Sequence, residues 1–466
     1  MAHRVVLRNE QFLFPDLRTL LGAASEEKSG DQLAGVAATS HRQRAAAKIA
    51  LADIPLADFL DHPLLEPDED AVSRALLDQH DPVAFAPWRS LTVGELREKL
   101  LSDDTTAEGL TRLGRALQPE MAAAVSMLMS TKDLVYAASR IRVVTRCRNT
   151  LGQTGVLAAR IQPNHPADDL GGILLAAVEG LTLGSGDAVI GVNPATDSVA
   201  GVGSILRSLD RLIASAHIPT QACCLAHITT QLAALDQGAP VDLLFQSLAG
   251  TEAANRSFGI DIPLVREGRE KVIEHHQRRG GFLPQHQVMY FETGQGSALS
   301  AEANHGMDQL TCEARAQGLA RIFDPFLVNS VVGFIGPEYL ADERQIIRAG
   351  LEDHFIGKLL GLPMGVDVCH TNHANADQNS LENLLLLLTA AGCNYFMGVP
   401  CADDVMLNYQ STSHHDIATA RRLFGLRPAP EFAAWLEGRG LGLGLTTPGN
   451  PALGTIMRGL LEAGGV

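Results

Sequence analysis

No Cys-x-x-Cys pair occurs among the seven cysteines, Cys147, Cys223, Cys224, Cys312, Cys369, Cys393 and Cys401. Scattered thiols in odd number exclude a disulfide framework and a zinc knuckle, and point to a reducing compartment. No apolar run reaches the roughly 20 residues of a membrane span. The longest, "NLLLLLTAAG" from Asn383, suits a buried helix, so no membrane is expected. A basic stripe is missing too. Lys and Arg total 37 against 53 Asp and Glu, a formal charge of -16, which excludes nucleic acid as a natural partner. The opening "MAHRVVLRNEQFLFPDLR" carries charges every few residues in place of an apolar leader core. The expectation is a soluble cytoplasmic protein.

What is present is an ordinary globular composition over 466 residues, 46% hydrophobic and 19% charged, enough for a large core with accessory segments. Through the first hundred residues, Ala, Leu, Asp and Glu recur at helical spacing. "LTVGELREKLLSDD", with Thr92 as its cap, is the clearest case. Residues 1–105 therefore read as a helical accessory region.

The texture then changes. Eight short apolar runs follow: "TGVLAARIQP", "DAVIGVNP", "TQACCLAH", "DLLFQSLAG", "VMYFETG", "FLVNSVVG", "LPMGVDVCH" and "NYFMGVP". Each ends in polar, Gly or Pro residues, and amphipathic stretches separate them. Eight strand–helix units predict an α/β fold of the TIM type, a (β/α)8 barrel over residues 106–428 with a helical lead-in. A doubly wound sheet is the rival, but it wants a glycine fingerprint at its first turn. Residues 429–466 remain as a C-terminal extension with turn residues and a helix, packed outside the barrel or against a partner.

Barrel strands deliver their C-terminal residues to one mouth, where such folds do chemistry. Here those residues are polar: Arg160 and Gln162 on one face of the first strand, Asn193 before Pro194, then Gln246, Glu292 and Asp367. A buried charge is costly unless paired, so one cation and two carboxylates describe a pocket for a small polar cation with a hydroxyl. Alternatives stay open residue by residue. Arg160 with Asp367 would also serve as a structural ion pair, and Asn193-Pro194 as a turn.

"VMYFETGQGSALS", from Val288 to Ser300, ends a strand on Glu292 and enters Gly294-Gln295-Gly296. A dinucleotide fingerprint needs a third glycine, which is missing, so Glu292 reads instead as a carboxylate at the mouth. His370 and His373 have HxxH spacing without an evident third ligand. The paired histidines at His275 and His414 read as helix surface or caps. "EDHFIGK", Glu352 to Lys358, approaches the D-x-H-x-x-G signature of cobalamin modules but has Glu where Asp should stand and reads as mid-helix. No strand end offers the lysine of a Schiff-base aldolase, and a non-catalytic scaffold has no reason to keep charges in the mouth.

The stretches "ARIQPN", "GDAVIGVNP", "LAHITTQ", "FQSLAG", "YFETGQGSALSA", "VVGFIGPEYL", "RQIIRAGLEDHF", "TNHANADQN" and "DDVMLNYQ" closely resemble the large, catalytic subunit of ethanolamine ammonia-lyase. The likeness runs from "SGDQLAGVAATS" near Ser29 to "LRPAPEFAAWLE" near Glu437. It implies adenosylcobalamin as cofactor, with radical deamination of ethanolamine to acetaldehyde and ammonia. It implies that Arg160 and Asn193 hold the substrate hydroxyl, and that Gln162, Glu292 and Asp367 hold its ammonium, with Arg160 and Glu292 catalytic. Pro194, Gln246, Ser300 and Met406 are implied at the cobalamin, with Val331, Phe334 and Leu407 on the apolar approach and the GxG allowing its close passage. No protein side chain is expected to ligate the metal. A small-subunit partner and a higher hetero-oligomer built on large-subunit trimers or hexamers are also implied, with packing in a bacterial microcompartment left open. "GVDVCH" around Asp367 is less cysteine-rich than the family pattern, although the carboxylate is kept.

Overall fold

The computed structural model describes residues 2–284, 286–442 and 453–465. All eight expected runs are strands: β1 Ala158–Ile161, β2 Val189–Val192, β3 Ala222–Cys224, β4 Leu244–Ser247, β5 Met289–Thr293, β6 Leu327–Val332, β7 Met364–Val368 and β8 Tyr395–Gly398. They form one parallel sheet in ring order, β3-β2-β1-β8-β7-β6-β5-β4. The ring closes where the Leu243 N–H donates to the Ala222 carbonyl. This is a TIM-type (β/α)8 barrel.

Each strand is followed by its outer helix: α1 Leu170–Thr182, α2 Val199–Ser215, α3 Ile228–Asp236, α4 Ile262–Arg279, α5 Gln309–Arg321, α6 Glu343–Leu359, α7 Gln378–Ala390 and α8 His414–Phe424. Their starts are written in the sequence. Asp169, Ser198, Asp261, Asp308, Asp342, Asp377 and Ser413 each accept a backbone N–H from the first turn.

The N-terminal region differs from the all-helical expectation at its beginning. His3–Leu7 and Glu10–Phe14 pair as an antiparallel hairpin, because "RVVL" and "QFLF" straddle Arg8 and Asn9, both at positive φ (48° and 65°). Helices follow, and Val93–Leu101 starts with the expected Thr92 cap. The Thr92 hydroxyl accepts from the Glu95 N–H at 3.2 Å, and the Glu95 carboxylate accepts from the Thr92 N–H at 2.8 Å.

Helices Pro119–Met127 and Thr131–Ser139 lie on α5, buried along nearly its whole length, and on α6, buried from Ala349 onward. Burial there includes charge. Lys28 and Glu352 pair at 3.0 Å with both side chains fully enclosed, and Arg348 meets Glu352 at 2.7 Å. One apolar core joins Leu20, Leu51, Leu96 and Leu113 to Phe355, Val366 and Leu384. Of the C-terminal extension, helix Pro430–Gly438 buries Phe432 and Leu436, and helix Leu453–Gly464 packs on α1 and α2 outside the barrel. The turn residues at 443–452 lie outside the described residues.

Candidate active site

Arg160, next to last in β1, points into the barrel, and its side chain is wholly enclosed. Gly191 on β2 makes room for it, since a Cβ there would stand 3.0 Å from Arg160 Nε. Nη1 donates to Glu292 Oε1 at 2.8 Å and to the Tyr290 hydroxyl, while Nη2 donates to Asn193 Oδ1 at 3.0 Å and to Gln162 Oε1. Burial works against its charge. The facing Tyr290 and Glu292 outweigh that, and the guanidinium is held above its ordinary pKa.

Glu292 receives three donors on one oxygen. Arg160, the Tyr290 hydroxyl at 3.0 Å and Asn329 Nδ2 at 3.4 Å all reach Oε1. Among the described residues no donor reaches Oε2, and the side chain is 16% exposed, so one carboxylate oxygen is left for a ligand. The pair with Arg160 also settles the alternative ion pair: Arg160 bridges to Glu292, not to Asp367. Asp367 instead accepts from the Tyr409 hydroxyl at 3.0 Å and the Ser411 hydroxyl at 2.6 Å. Burial pushes its pKa up to about 7, against those two hydrogen bonds.

Gln162 Nε2 donates to Asp404 Oδ2 at 2.6 Å and to the Tyr409 hydroxyl at 2.9 Å. The Asn193 N–H is held by Asn164 Oδ1 at 2.8 Å. Above this polar floor opens a pocket of about 560 Å³. Gln162, Asn193, Glu292 and Asp367 line its deep end, while Gln246, Ser300, Val331, Phe334 and Leu407 line its walls. Gln246 is pinned there, its Oε1 accepting from the Ile228 N–H at 3.1 Å. Pro194 and Met406 are half-buried and stand outside the lining. Arg160 lies beneath the floor, acting through the four side chains it touches.

Several participants lie outside the strand-end positions. Tyr290 stands two residues before Glu292, so strand alternation alone puts it on the same face. Asn329 is the register partner of Glu292 on β6. Asp404, Tyr409 and Ser411 come from the excursion after β8, where Asp404 and Tyr409 face each other across two-residue antiparallel strands too short for any periodicity to point inward.

The large-subunit family of ethanolamine ammonia-lyase, described as "Ethanolamine ammonia lyase large subunit (EutB)", matches residues 12–446. The ethanolamine ammonia-lyase large subunit of Escherichia coli (strain K12) is 48% identical over 441 residues, covering 95% of this chain and 96% of the relative. That of Salmonella typhimurium (strain LT2) shows 48% identity over the same length. The chain belongs to the ethanolamine ammonia-lyase large subunit family. It is thereby a member of a lyase family, and the barrel mouth is its active-site candidate.

In this ammonia-lyase chain the two glycines after β5 yield first to the protein itself. A Cβ on Gly294 would meet the Val331 carbonyl at 2.9 Å, and Gly296, at φ 101°, lies against Tyr339. Gly294 also lines the pocket, so it keeps the wall thin as well. Glu352 and His354 are buried within α6, in agreement with a mid-helix reading of "EDHFIGK". His414 corrects an expectation: it is enclosed, not at the surface, and burial pushes its ring down to about 3. His276 is likewise buried, stacked on Phe282 at 3.6 Å. His370 is buried and His373 exposed. Among the described residues no group of three or more His, Cys, Asp and Glu is placed to hold a metal, and no helix is long and apolar enough to cross a membrane.

Proposed function

We propose that the chain is the catalytic subunit of a two-subunit, adenosylcobalamin-dependent enzyme that converts ethanolamine to acetaldehyde and ammonia. One observation carries the reading. A free carboxylate oxygen on Glu292 and the carboxyl of Asp367 share the deep end of the pocket with two oriented amides, a donor and acceptor set suited to a small amino alcohol. In this reading Glu292 Oε2, Asp367 and Gln162 Oε1 hold the ammonium. Asn193, its carbonyl committed to Arg160, offers its amide N–H to the hydroxyl oxygen, and Arg160 supplies positive charge directly behind it. Glu292 accepts the ammonium proton as the amino group migrates and returns it afterwards.

The pocket leaves room for part of a second, larger group. Ethanolamine fills only a small part of about 560 Å³, and the remaining wall, with Leu248, Phe258, Val331, Phe334, Ile335 and Leu407, is mainly apolar. Adenosylcobalamin, when bound, supplies the carbon radical that removes hydrogen from the hydroxyl-bearing carbon. Gln246, Ser300 and the Val331–Phe334 wall would hold it, with Pro194 and Met406 meeting it from outside the pocket. The chain's part is to orient the substrate under that group and keep water away. A small subunit covering the mouth, assembly on large-subunit trimers or hexamers, and a cytoplasmic or microcompartment location complete the proposal.

Co-expression with a candidate small subunit tests it. Acetaldehyde should form from ethanolamine only when adenosylcobalamin is added, with an organic-radical and Co(II) EPR signal during anaerobic turnover. Full turnover without the cofactor would refute the radical reading.

A further inference from the structure

We propose that Asp404 is a positioning residue that sets the amide of Gln162 for the substrate and ties it to the Met406–Leu407 turn of the pocket wall. The inference rests on ethanolamine as substrate. Asp404 sits just after β8, is 4% exposed, and its carboxylate gathers four donors. Oδ1 accepts the backbone N–H groups of Met406 at 3.0 Å and Leu407 at 2.8 Å. Oδ2 accepts Gln162 Nε2 at 2.6 Å and Asn164 Nδ2 at 2.8 Å. Asn164 in turn holds the Asn193 N–H, so one carboxylate braces both amides of the floor.

A glutamine amide is nearly symmetric in shape, so only its partners decide which end faces a ligand. Here Arg160 donates to Gln162 Oε1, while Asp404 and Tyr409 take the two hydrogens of Nε2. The remaining lone pair of Oε1 is all that Gln162 can offer, and that makes it an acceptor for an ammonium. The segment doing this is strained. Cys401, Ala402 and Asn408 hold positive φ (55°, 63° and 58°) without being glycine, a conformation that persists only where surrounding contacts impose it. The wall turn and the substrate amide are therefore one hydrogen-bonded unit.

Asp404→Asn keeps the shape but turns an N–H₂ toward the two amide donors. With Oδ1 still on the turn, Gln162 must rotate or shift. Ethanolamine binding is measured by calorimetry on the assembled large- and small-subunit complex, alongside KM and kcat. Asp404→Asn is expected to weaken binding about tenfold or more, the scale of an unsatisfied buried donor. In a Gln162→Ala background the same change should cost less than about threefold, because partners in one network do not add. Asn164→Ala, at a half-buried site, removes two hydrogen bonds, to Asp404 and from the Asn193 N–H, and should weaken binding by about fivefold or more. Equal penalties with and without Gln162, or affinity within about threefold of the parent for both single variants, would overturn the proposal. If the parent complex itself binds no ethanolamine, the substrate reading falls instead.

Discussion

Glu292 concentrates three donors on one oxygen, and among the described residues none reaches the other, which faces the pocket proposed for the substrate. Glu292→Gln can keep Oε1 in that cradle, but it then presents an N–H₂ where an ammonium should sit. Assembly should be normal, with kcat/KM lower by roughly 10² or more, the scale of general acid–base help. Turnover near the parent rate would return Glu292 to a structural role. Asp367 makes a pH prediction. Its carboxyl titrates near 7 because burial disfavours the charged form. Below that pH it is neutral and no longer attracts an ammonium; above it, the charge is present. kcat/KM should therefore fall as pH drops through about 7, a limb belonging to the free enzyme. Asp367→Asn should flatten that limb while lowering the plateau. A variant with an unchanged acid limb would assign the titration elsewhere.

At the level of elements, much was legible in the sequence. The eight barrel strands declared themselves because each is a short apolar run that ends in polar or turn-forming residues, and strand alternation put Arg160 and Gln162 on one face. The hairpin at His3–Phe14 did not, because five-residue strands with a Leu or Phe on either face resemble a helix start in a Leu-rich context. The excursion carrying Asp404 and Tyr409 is turned inward by partners distant in sequence, Gln162 and Asp367, so its place in the site was not legible locally. Caps were readable. Thr92→Ala should remove one arm of the capping box, costing about 1 kcal/mol of local stability. Hydrogen exchange should quicken at the first turn of Val93–Leu101 and be unchanged in the barrel strands. Faster exchange throughout would mean that this helix is not an independent opening unit.

Across the whole molecule, the N-terminal helices and the barrel share both apolar core and buried charge. Burial works to raise the Glu352 carboxyl, but Lys28 and Arg348 outweigh it and hold it below the usual range. A depressed carboxyl contributes stability above the ordinary carboxylate pKa and loses it as pH falls through the lower folded value. Lys28→Met should cost about 3–5 kcal/mol by leaving a buried anion one partner short, seen as a lower denaturation midpoint. Lys28→Met with Glu352→Gln should recover much of that loss. An additive double variant would show that the two side chains act separately.

The same pair bears on anyone who would cut this barrel free for use as a scaffold. Lys28 lies about 130 residues before the first stave of the barrel, yet it neutralises a charge in the middle of α6. A fragment beginning near residue 106 would keep Arg348 beside Glu352 but lose Lys28, leaving that acid with one cation, and it would lose the apolar cover that Leu20, Leu51 and Leu96 give the shared core. To stand alone, it would need Glu352 redesigned first.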